Sequence, residues 1–252
     1  MLRWTRRGLE TCLWVTRQSS TLPEGGPRKP SRRKPARALW SDSYTYLAAA
    51  IRRAFYRLYL VEDIFSRKIV GWAVHEDEQS AHASVLIRKT CLAEGIHEEG
   101  LVLHSDNGGP MKGATMLATL QRLGVVPSFS RPSVSDDNPY SESLFRTLKY
   151  TPAYPSQPFA SLTEGPEWLH RFVQWYNEEH RHSGIRYVTP GQRHRGEDIA
   201  IVANWKRLYE DAKATRPARW SGNTRNWEPA PAVWLNPPND TKLKESVHQK
   251  VA

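Results

Sequence analysis

The chain has few cysteines and no long apolar segment, and these absences exclude several classes of protein. Its 252 residues contain two cysteines, Cys12 and Cys91, which are too few for a disulfide framework and lack the paired spacing of a zinc site. No run of about 18 apolar residues is present, so no membrane span is expected. The N-terminus lacks the apolar segment of a secretory signal. A secreted, membrane-spanning or disulfide-stabilised protein is therefore not expected.

Acidic residues are scarce relative to basic ones. Lys and Arg total 36 against 26 Asp and Glu, which gives a formal net charge of +10 and favours a polyanionic partner such as nucleic acid. Most of this excess lies in residues 1–37, and within them the stretch TLPEGGPRKPSRRKPAR combines Pro, Gly and basic residues with almost no apolar content. Such a segment cannot bury a core. We predict a flexible basic arm, which either contacts phosphates without sequence preference or is a solvated tail without a role.

Residues 38–195 have the pattern of a compact α/β domain. Three segments rich in aromatic and β-branched residues, YTYLAAA, FYRLYLVEDIF and KIVGWAV, predict strands joined by short turns. They are followed by a helix (SAHASVLIRKTCLAEG), a strand (LVLHS), a helix (ATMLATLQRLG), a strand (VVPSFS) and a helix (YSESLFRTLKY) capped by Asn138. This order predicts a mixed sheet flanked by helices. Residues 196–252 predict one more helix and a Trp- and Pro-rich tail.

Two carboxylates lie where the predicted elements can bring them to one pocket. Asp106 follows a buried strand, and Glu142 lies in the first turn of a helix, 35 intervening residues later. Phosphodiester transfer is well served by two divalent ions about 3.5–4 Å apart held by clustered carboxylates, and Mg²⁺ prefers oxygen ligands. Arg146 and Lys149 share the helix face of Glu142 and would contact DNA phosphates. An isolated Asp-Asn-Gly, however, is more often a plain turn.

Four ordered motifs resemble the integrase-type catalytic core of bacterial insertion-sequence transposases, and more closely the OrfB-type transposases. They are LYLVEDIFSRKIVGWAV, LHSDNGG, SRPSVSDDNPYSESLFRTLKY and FVQWYNEEHRHSGIRYVTPGQR. The resemblance implies an RNase H-like fold with a five-stranded sheet and a DDE triad that binds two Mg²⁺ ions, for which Mn²⁺ can substitute. Asp106 and Glu142 match the second and third triad positions, and Lys149 matches the basic residue seven positions after the glutamate.

The first triad position is where the sequence departs from the family pattern. In an alignment through Thr45 and Leu47, that position falls on Ser43, and Asp42 lies one residue early. A slip of one residue moves a strand side chain to the opposite face of the sheet. Asp42 is therefore a candidate third metal ligand only if its strand is bulged or re-registered; otherwise the site lacks one ligand.

Two hypotheses follow from the resemblance. In the first, the chain is a DNA transposase that cleaves insertion-element ends and joins them to target DNA, acting on double-stranded DNA as a homo-oligomer in the bacterial cytoplasm, associated with the nucleoid. In the second, it is a catalytically inactive, truncated or decayed copy that binds DNA or regulates intact copies. Ser43 favours the second hypothesis, as does the lack of apolar periodicity for a helical DNA-binding region in residues 1–37.

Aromatic and histidine side chains outside these motifs have plainer interpretations. A stripe at three- and four-residue steps predicts a core-facing helix, and its members are Trp168, Phe172, Trp175 and Tyr176. His104 alternates with Asp106 along one strand, so it either lines the pocket or, more simply, packs in the core. The tail residues Trp220, Trp227 and Trp234 are expected to dock on the core or on a partner subunit, because large aromatic side chains are seldom left in water.

Overall fold

The structure, a computed structural model, describes most of the predicted α/β domain, the whole of the helix that follows it and part of the tail. The described residues are 2–3, 39–51, 53–96, 100–130, 138–229 and 233–235. Apart from residues 2–3, the predicted basic arm lies outside them, as does the end of the tail. Residues 2–3 pair with Trp234–Leu235 as two short antiparallel strands. Within the described residues, no helix is long and apolar enough to span a membrane.

One mixed sheet of five strands organises the domain. The strands are β1 (Leu39–Ala48), β2 (Phe55–Asp63), β3 (Ile69–His75), β4 (Val102–Ser105) and β5 (Val126–Phe129). Their spatial order is β3-β2-β1-β4-β5. Strand β2 runs antiparallel to both of its neighbours, β1 and β3, and β4 and β5 run parallel to β1. The predicted mixed sheet is therefore confirmed, although β1 begins at Leu39 rather than Tyr44 because parallel pairing with β4 extends it.

Helices cover both faces of this sheet. Within the described residues they are α1 (Ser80–Ala93), α2 (Gly109–Lys112), α3 (Ala114–Arg122), α4 (Pro139–Tyr150), α5 (Glu164–Glu178), α6 (Pro190–Arg195) and α7 (Asp198–Thr215). The short helix α2 is absent from the prediction, which assigns no helix or strand to the residues between Asp106-Asn107-Gly108 and Ala114. Pro110 sits in the first turn of α2, a position where proline is compatible with a helix start.

The sheet lies between two hydrophobic cores, and successive side chains of β1 point alternately toward one core and the other. Trp40 and Tyr44 pack on the α1 and α3 side, whereas Leu47 packs on the α4 and α5 side. The predicted aromatic stripe on α5 belongs to this second core: Phe172 and Tyr176 are 5% and 1% exposed. The orientation predicted for that helix is therefore confirmed.

A buried ion cluster joins α6 to the sheet and to the end of α1. His194 Nδ1 lies 3.2 Å from Asp63 Oδ2, and His194 Nε2 lies 2.9 Å from Glu94 Oε2. Lys68 Nζ donates to the other oxygen of Glu94 at 2.8 Å. The side chains of His194, Asp63 and Glu94 are each less than a tenth exposed, so the imidazole bridges two carboxylates that water does not screen well.

The cluster sets the charge state of its members. Burial lowers the pKa of His194, but hydrogen bonds with Asp63 and Glu94 outweigh burial and raise the pKa above its ordinary value. Burial raises the pKa of Glu94, yet hydrogen bonds from His194 and Lys68 bring it down to about 2. A raised histidine pKa stabilises the fold below the unfolded-state value, and this contribution disappears as pH rises through the folded-state value. The Glu94 contribution disappears as pH falls toward about 2.

His194→Gln is expected to lower the free energy of unfolding by roughly 2–4 kcal/mol near pH 6, because two buried carboxylates lose their shared cation. The loss should shrink at higher pH, where the wild-type imidazole is neutral. Urea denaturation at several pH values measures both effects. His82→Gln is the matched control, since His82 pairs with the exposed Asp77 and should change stability little. A loss that does not vary with pH would contradict a protonated His194.

Candidate active site

The parallel pairing of β1 with β4 places Ser43 beside Asp106. Ser41 aligns with His104 in the register of these two strands, so the residues two positions further along lie on the same face. Ser43 Oγ donates a hydrogen bond to Asp106 Oδ2 at 3.0 Å. The structure therefore pairs the hydroxyl of Ser43, the residue that the family resemblance aligns with a first acid, directly with the carboxylate of Asp106.

Two further donors hold the other oxygen of Asp106. Ser130 Oγ donates to Asp106 Oδ1 at 3.3 Å, and Asn138 Nδ2 donates to the same oxygen at 3.1 Å. Asn138 occupies the predicted N-cap position of α4, but its side chain makes no capping hydrogen bond. It instead accepts from Ser41 Oγ at 2.8 Å. The amide of Asn138 thus links the start of α4 to both β1 and Asp106.

His104 lies on β4, two residues before Asp106, and is 2% exposed. Its Nδ1 is 3.1 Å from Ser128 Oγ, and its Nε2 is 3.3 Å from Ser130 Oγ. Burial supports the packing role expected for His104, and its contact with Ser130 also connects it to the carboxylate. The motif SRPSVSDDNPYSESLFRTLKY begins at Ser130, but the sequence pattern assigns this serine no role. The available signal is positional, because Ser130 follows β5 as Asp106 follows β4, at the carboxyl edge of two parallel strands.

Helix α4 presents Glu142 to solvent together with two cations. The helix buries Ser141, Leu144 and Leu148, while Glu142, Arg146 and Lys149 are all exposed. Ser141 Oγ lies 2.6 Å from Ser41 Oγ, which fixes the first turn of the helix against β1. The predicted common face of Glu142, Arg146 and Lys149 is therefore present and accessible.

Asp42 faces the other way. It is fully buried and alternates with Trp40 and Tyr44, which belong to the core on the α1 side. The pairing of β1 with β2 is regular from Trp40 to Ala48, so β1 has neither the bulge nor the re-registration that would turn Asp42 toward Asp106. The irregularity in this part of the sheet lies between β2 and β3.

The environment of Asp42 disfavours a charged carboxylate. Neither of its oxygens has a hydrogen-bond partner among the described residues. Burial, and after it the nearby charge of Asp106, raise the pKa of Asp42 well above its usual value. Such surroundings favour the neutral form of the carboxyl group over the charged form.

The described residues do not fit the two-metal site that the family resemblance implies. Among them, no three His, Cys, Asp or Glu side chains lie close enough together to hold a metal ion. Asp106 is hydrogen-bonded to Asn138 at the start of α4, and Glu142 lies in the first turn of α4. Asp42, in contrast, lies on the α1 side of the sheet. On the α4 side the neighbour of Asp106 on β1 is Ser43, whose neutral hydroxyl supplies no negative charge.

The region that contains these strands and motifs matches a known domain family. Two family models, both of the integrase core domain, match residues 34–135 and residues 123–190. The chain belongs to the integrase core family. The two matched ranges together contain all five strands of the sheet, the Ser43–Asp106 pair and the whole of α4.

Sequence relatives of this integrase core chain are insertion-sequence transposases. The transposase for insertion sequence element IS904 of Lactococcus lactis subsp. lactis (strain IL1403) is 28% identical over 153 residues, which are 60% of this chain and 59% of the relative. Transposase InsF for insertion sequence IS3A of Escherichia coli (strain K12) is 25% identical over 154 residues, or 61% and 52% of the two chains. The chain thus matches less than two thirds of the length of these relatives.

A solved structure supports the fold. A chain in the simian T-cell lymphotropic virus intasome, solved in complex with PP2A regulatory subunit B56 gamma, matches with a TM-score of 0.50 at 16% identity. The match covers 70% of this chain and 59% of that one. Together with the sheet order, this likeness confirms the expected RNase H-like fold.

Asp42→Asn is expected to stabilise the protein by roughly 1–3 kcal/mol near pH 8. At this pH the folded wild type has either a protonated carboxyl group or a buried charge at Asp42, and both states cost free energy relative to the unfolded chain. The raised pKa means that the wild type loses stability as pH rises from the unfolded-state value of about 3.9. Asparagine does not titrate, so the two proteins should converge near pH 4. Denaturation of both proteins at the two pH values measures the difference.

The exposed Asp211, changed to Asn, is the matched control and should alter stability by no more than about 0.5 kcal/mol. Destabilisation by Asp42→Asn at both pH values would mean that the carboxylate has a partner, and would contradict the orientation described above.

Proposed function

We propose that the chain is the DNA-binding, phosphodiester-positioning core of an insertion-sequence transposase whose cleavage site lacks its first carboxylate. Its family and relatives support the general activity, DNA transposition. The hydrogen bond from Ser43 to Asp106 carries the more specific part of the proposal. A neutral hydroxyl cannot replace a carboxylate as a charged oxygen ligand, so the chain binds DNA but cuts it poorly.

The substrate in this proposal is double-stranded DNA, at the ends of an insertion element and at its target. Arg146 and Lys149 follow Glu142 by about one and two helical turns and are exposed with it. Their charges would bind the phosphates of a strand that lies along α4, and such contacts fix register without reading sequence. The Ser41–Ser141 contact and the Asn138 bridge keep this face in place beside Asp106.

The organisation of the whole chain forms part of the same proposal. Residues 1–37 are a basic arm that adds phosphate contacts, residues 38–195 are the catalytic-type core, and residues 196–252 are a C-terminal helix and tail. Two DNA ends must be brought together before they are joined, so the working form is a homo-oligomer.

A fully active transposase is the second candidate, and the unpartnered carboxyl of Asp42 is the observation that favours it. In this alternative Asp42, Asp106 and Glu142 are the ligands of two Mg²⁺ or Mn²⁺ ions. It requires β1 to shift by one residue, which would also turn Trp40 and Tyr44 out of the core that they fill. The buried positions of these side chains favour the incomplete site.

A nicking and joining assay on labelled element-end DNA, in Mg²⁺ and in Mn²⁺, separates the two candidates. Ser43→Asp is expected to raise the rate of nicking by at least about 100-fold, equivalent to roughly 3 kcal/mol of transition-state stabilisation. Ser43→Ala is the matched control and should stay as inactive as the wild type. Adding Asp106→Asn to Ser43→Asp should abolish the gain while leaving DNA affinity nearly unchanged.

The active-transposase candidate gives a different pattern in the same assay. Efficient nicking by the wild type that is lost in Asp42→Asn would identify Asp42 as the first ligand and overturn the incomplete-site proposal.

A further inference from the structure

A cleft lies at the C-terminal end of α7 and shares no residue with the site described above. It has a volume of about 600 Å³ and is lined by Ala212, Thr215, Arg216, Arg219 and Trp220. Its residues come from the last turn of α7 and from a short 3₁₀ helix, Pro217–Arg219, that follows it. The cleft therefore combines one large aromatic ring with two guanidinium groups at a bend of the chain.

Aromatic packing holds the bend in place. The ring of Trp220 meets Tyr209 of α7 edge to face, with centroids 6.1 Å apart. Tyr209 in turn contacts Trp227, with centroids 4.9 Å apart, and Trp227 is only 5% exposed. The start of the tail is thus folded back against α7, which confirms for Trp227 the expected docking on the rest of the chain. Trp220 stays half-exposed and forms one wall of the cleft.

The same segment concentrates positive charge. Residues 212–227 contain four cations and no acid, and the cations are Lys213, Arg216, Arg219 and Arg225. Arg216 and Arg219 are exposed, and neither forms an ion pair with any residue that the structure describes. Because their charges are not neutralised within the described fold, both guanidinium groups are available to an anionic partner.

The other two cations are attached to the scaffold. Lys213 Nζ donates to Asn223 Oδ1 at 3.2 Å. The guanidinium of Arg225 lies over the rings of Tyr187 and Trp227, at 4.9 Å and 5.3 Å from their centroids. Lys213 and Arg225 are therefore both held by contacts within the described fold.

Stabilisation of the helix end does not by itself explain this arrangement. Cations in a last helical turn complement the negative end of the helix dipole, which accounts for Lys213 and Arg216. Arg219 and Arg225 follow the helix, however, so the dipole of α7 does not account for them.

We propose that this cleft binds the sugar–phosphate backbone of DNA, with Arg216 and Arg219 on phosphates and Trp220 against the sugars between them. The inference rests on the proposed function, which supplies DNA as the polyanion. It adds a second contact surface to the one formed by Arg146 and Lys149 on α4. Arginine suits this role because its planar donors match phosphate oxygens in pairs.

The test is the salt dependence of binding of the full chain to a labelled duplex of arbitrary sequence, followed by fluorescence anisotropy. The logarithm of the binding constant falls as the logarithm of the salt concentration rises, and each lost phosphate contact reduces the magnitude of this slope by about 0.9. Here a lower slope means a slope of smaller magnitude. The double variant Arg216→Gln/Arg219→Gln is therefore expected to lower the slope by about 2 and to weaken binding about 10- to 100-fold at moderate salt. Arg88→Gln/Lys89→Gln, two exposed cations of α1, is the matched control and should leave the slope unchanged.

Two further variants separate charge from shape. Arg216→Lys/Arg219→Lys keeps both charges and should keep the slope. Trp220→Leu should weaken binding several-fold without changing the slope, since it removes the cleft wall and no charge. Thermal melting of each variant checks that the fold is retained.

The outcomes distinguish this inference from the proposed function. If the wild type binds DNA and Arg216→Gln/Arg219→Gln keeps its slope while Arg146→Gln/Lys149→Gln lowers it, the cleft is not a DNA contact and the inference is overturned. If the wild type shows no salt-dependent binding at all, the proposed function fails and this inference fails with it.

Discussion

Side-chain alternation along β1 is the constraint on which the account of this protein depends. The strand lies at the centre of the sheet, and its neighbouring residues belong to different cores: Trp40 and Tyr44 pack on the α1 side, and Leu47 packs on the α4 side. A shift of one residue would exchange the two sets and expose both cores. The orientation of Asp42 and Ser43 is therefore fixed by apolar packing along the whole strand, and local preference at these two positions cannot change it.

The polar side of the strand is organised around Asp106. Ser43, Ser130 and Asn138 all donate to its carboxylate, so a charged group at the sheet edge is held in one orientation by neutral donors. The same hydrogen bonds attach the start of α4 to β1, and α4 carries Glu142, Arg146 and Lys149. The carboxylate thus helps to position the helix that would contact DNA, and this structural role is compatible with the loss of one acid from the site.

Much of the fold could be predicted from the sequence because its signals are local. Apolar and β-branched segments predicted the strands and helices, and the stripe on α5 predicted the direction of its buried face. The exceptions depend on tertiary contacts: β1 starts early because β4 pairs with it, and the Asn138 side chain leaves the helix end because Asp106 and Ser41 are better partners. Ser43 could be identified as a departure from the family pattern, but its hydrogen bond to Asp106 depends on the register of two strands that are distant in sequence.

The central claim is that Ser43, and not Asp42, occupies the first position of the site. Calorimetric titration of Mn²⁺ into the full chain tests it most directly, since it reports ligands without requiring catalysis. We expect the wild type to bind Mn²⁺ at least about tenfold more weakly than Ser43→Asp, because a second carboxylate beside Asp106 completes an oxygen site, and we expect Asp42→Asn to leave the wild-type isotherm unchanged. Tight, saturable binding by the wild type that disappears in Asp42→Asn would contradict the account.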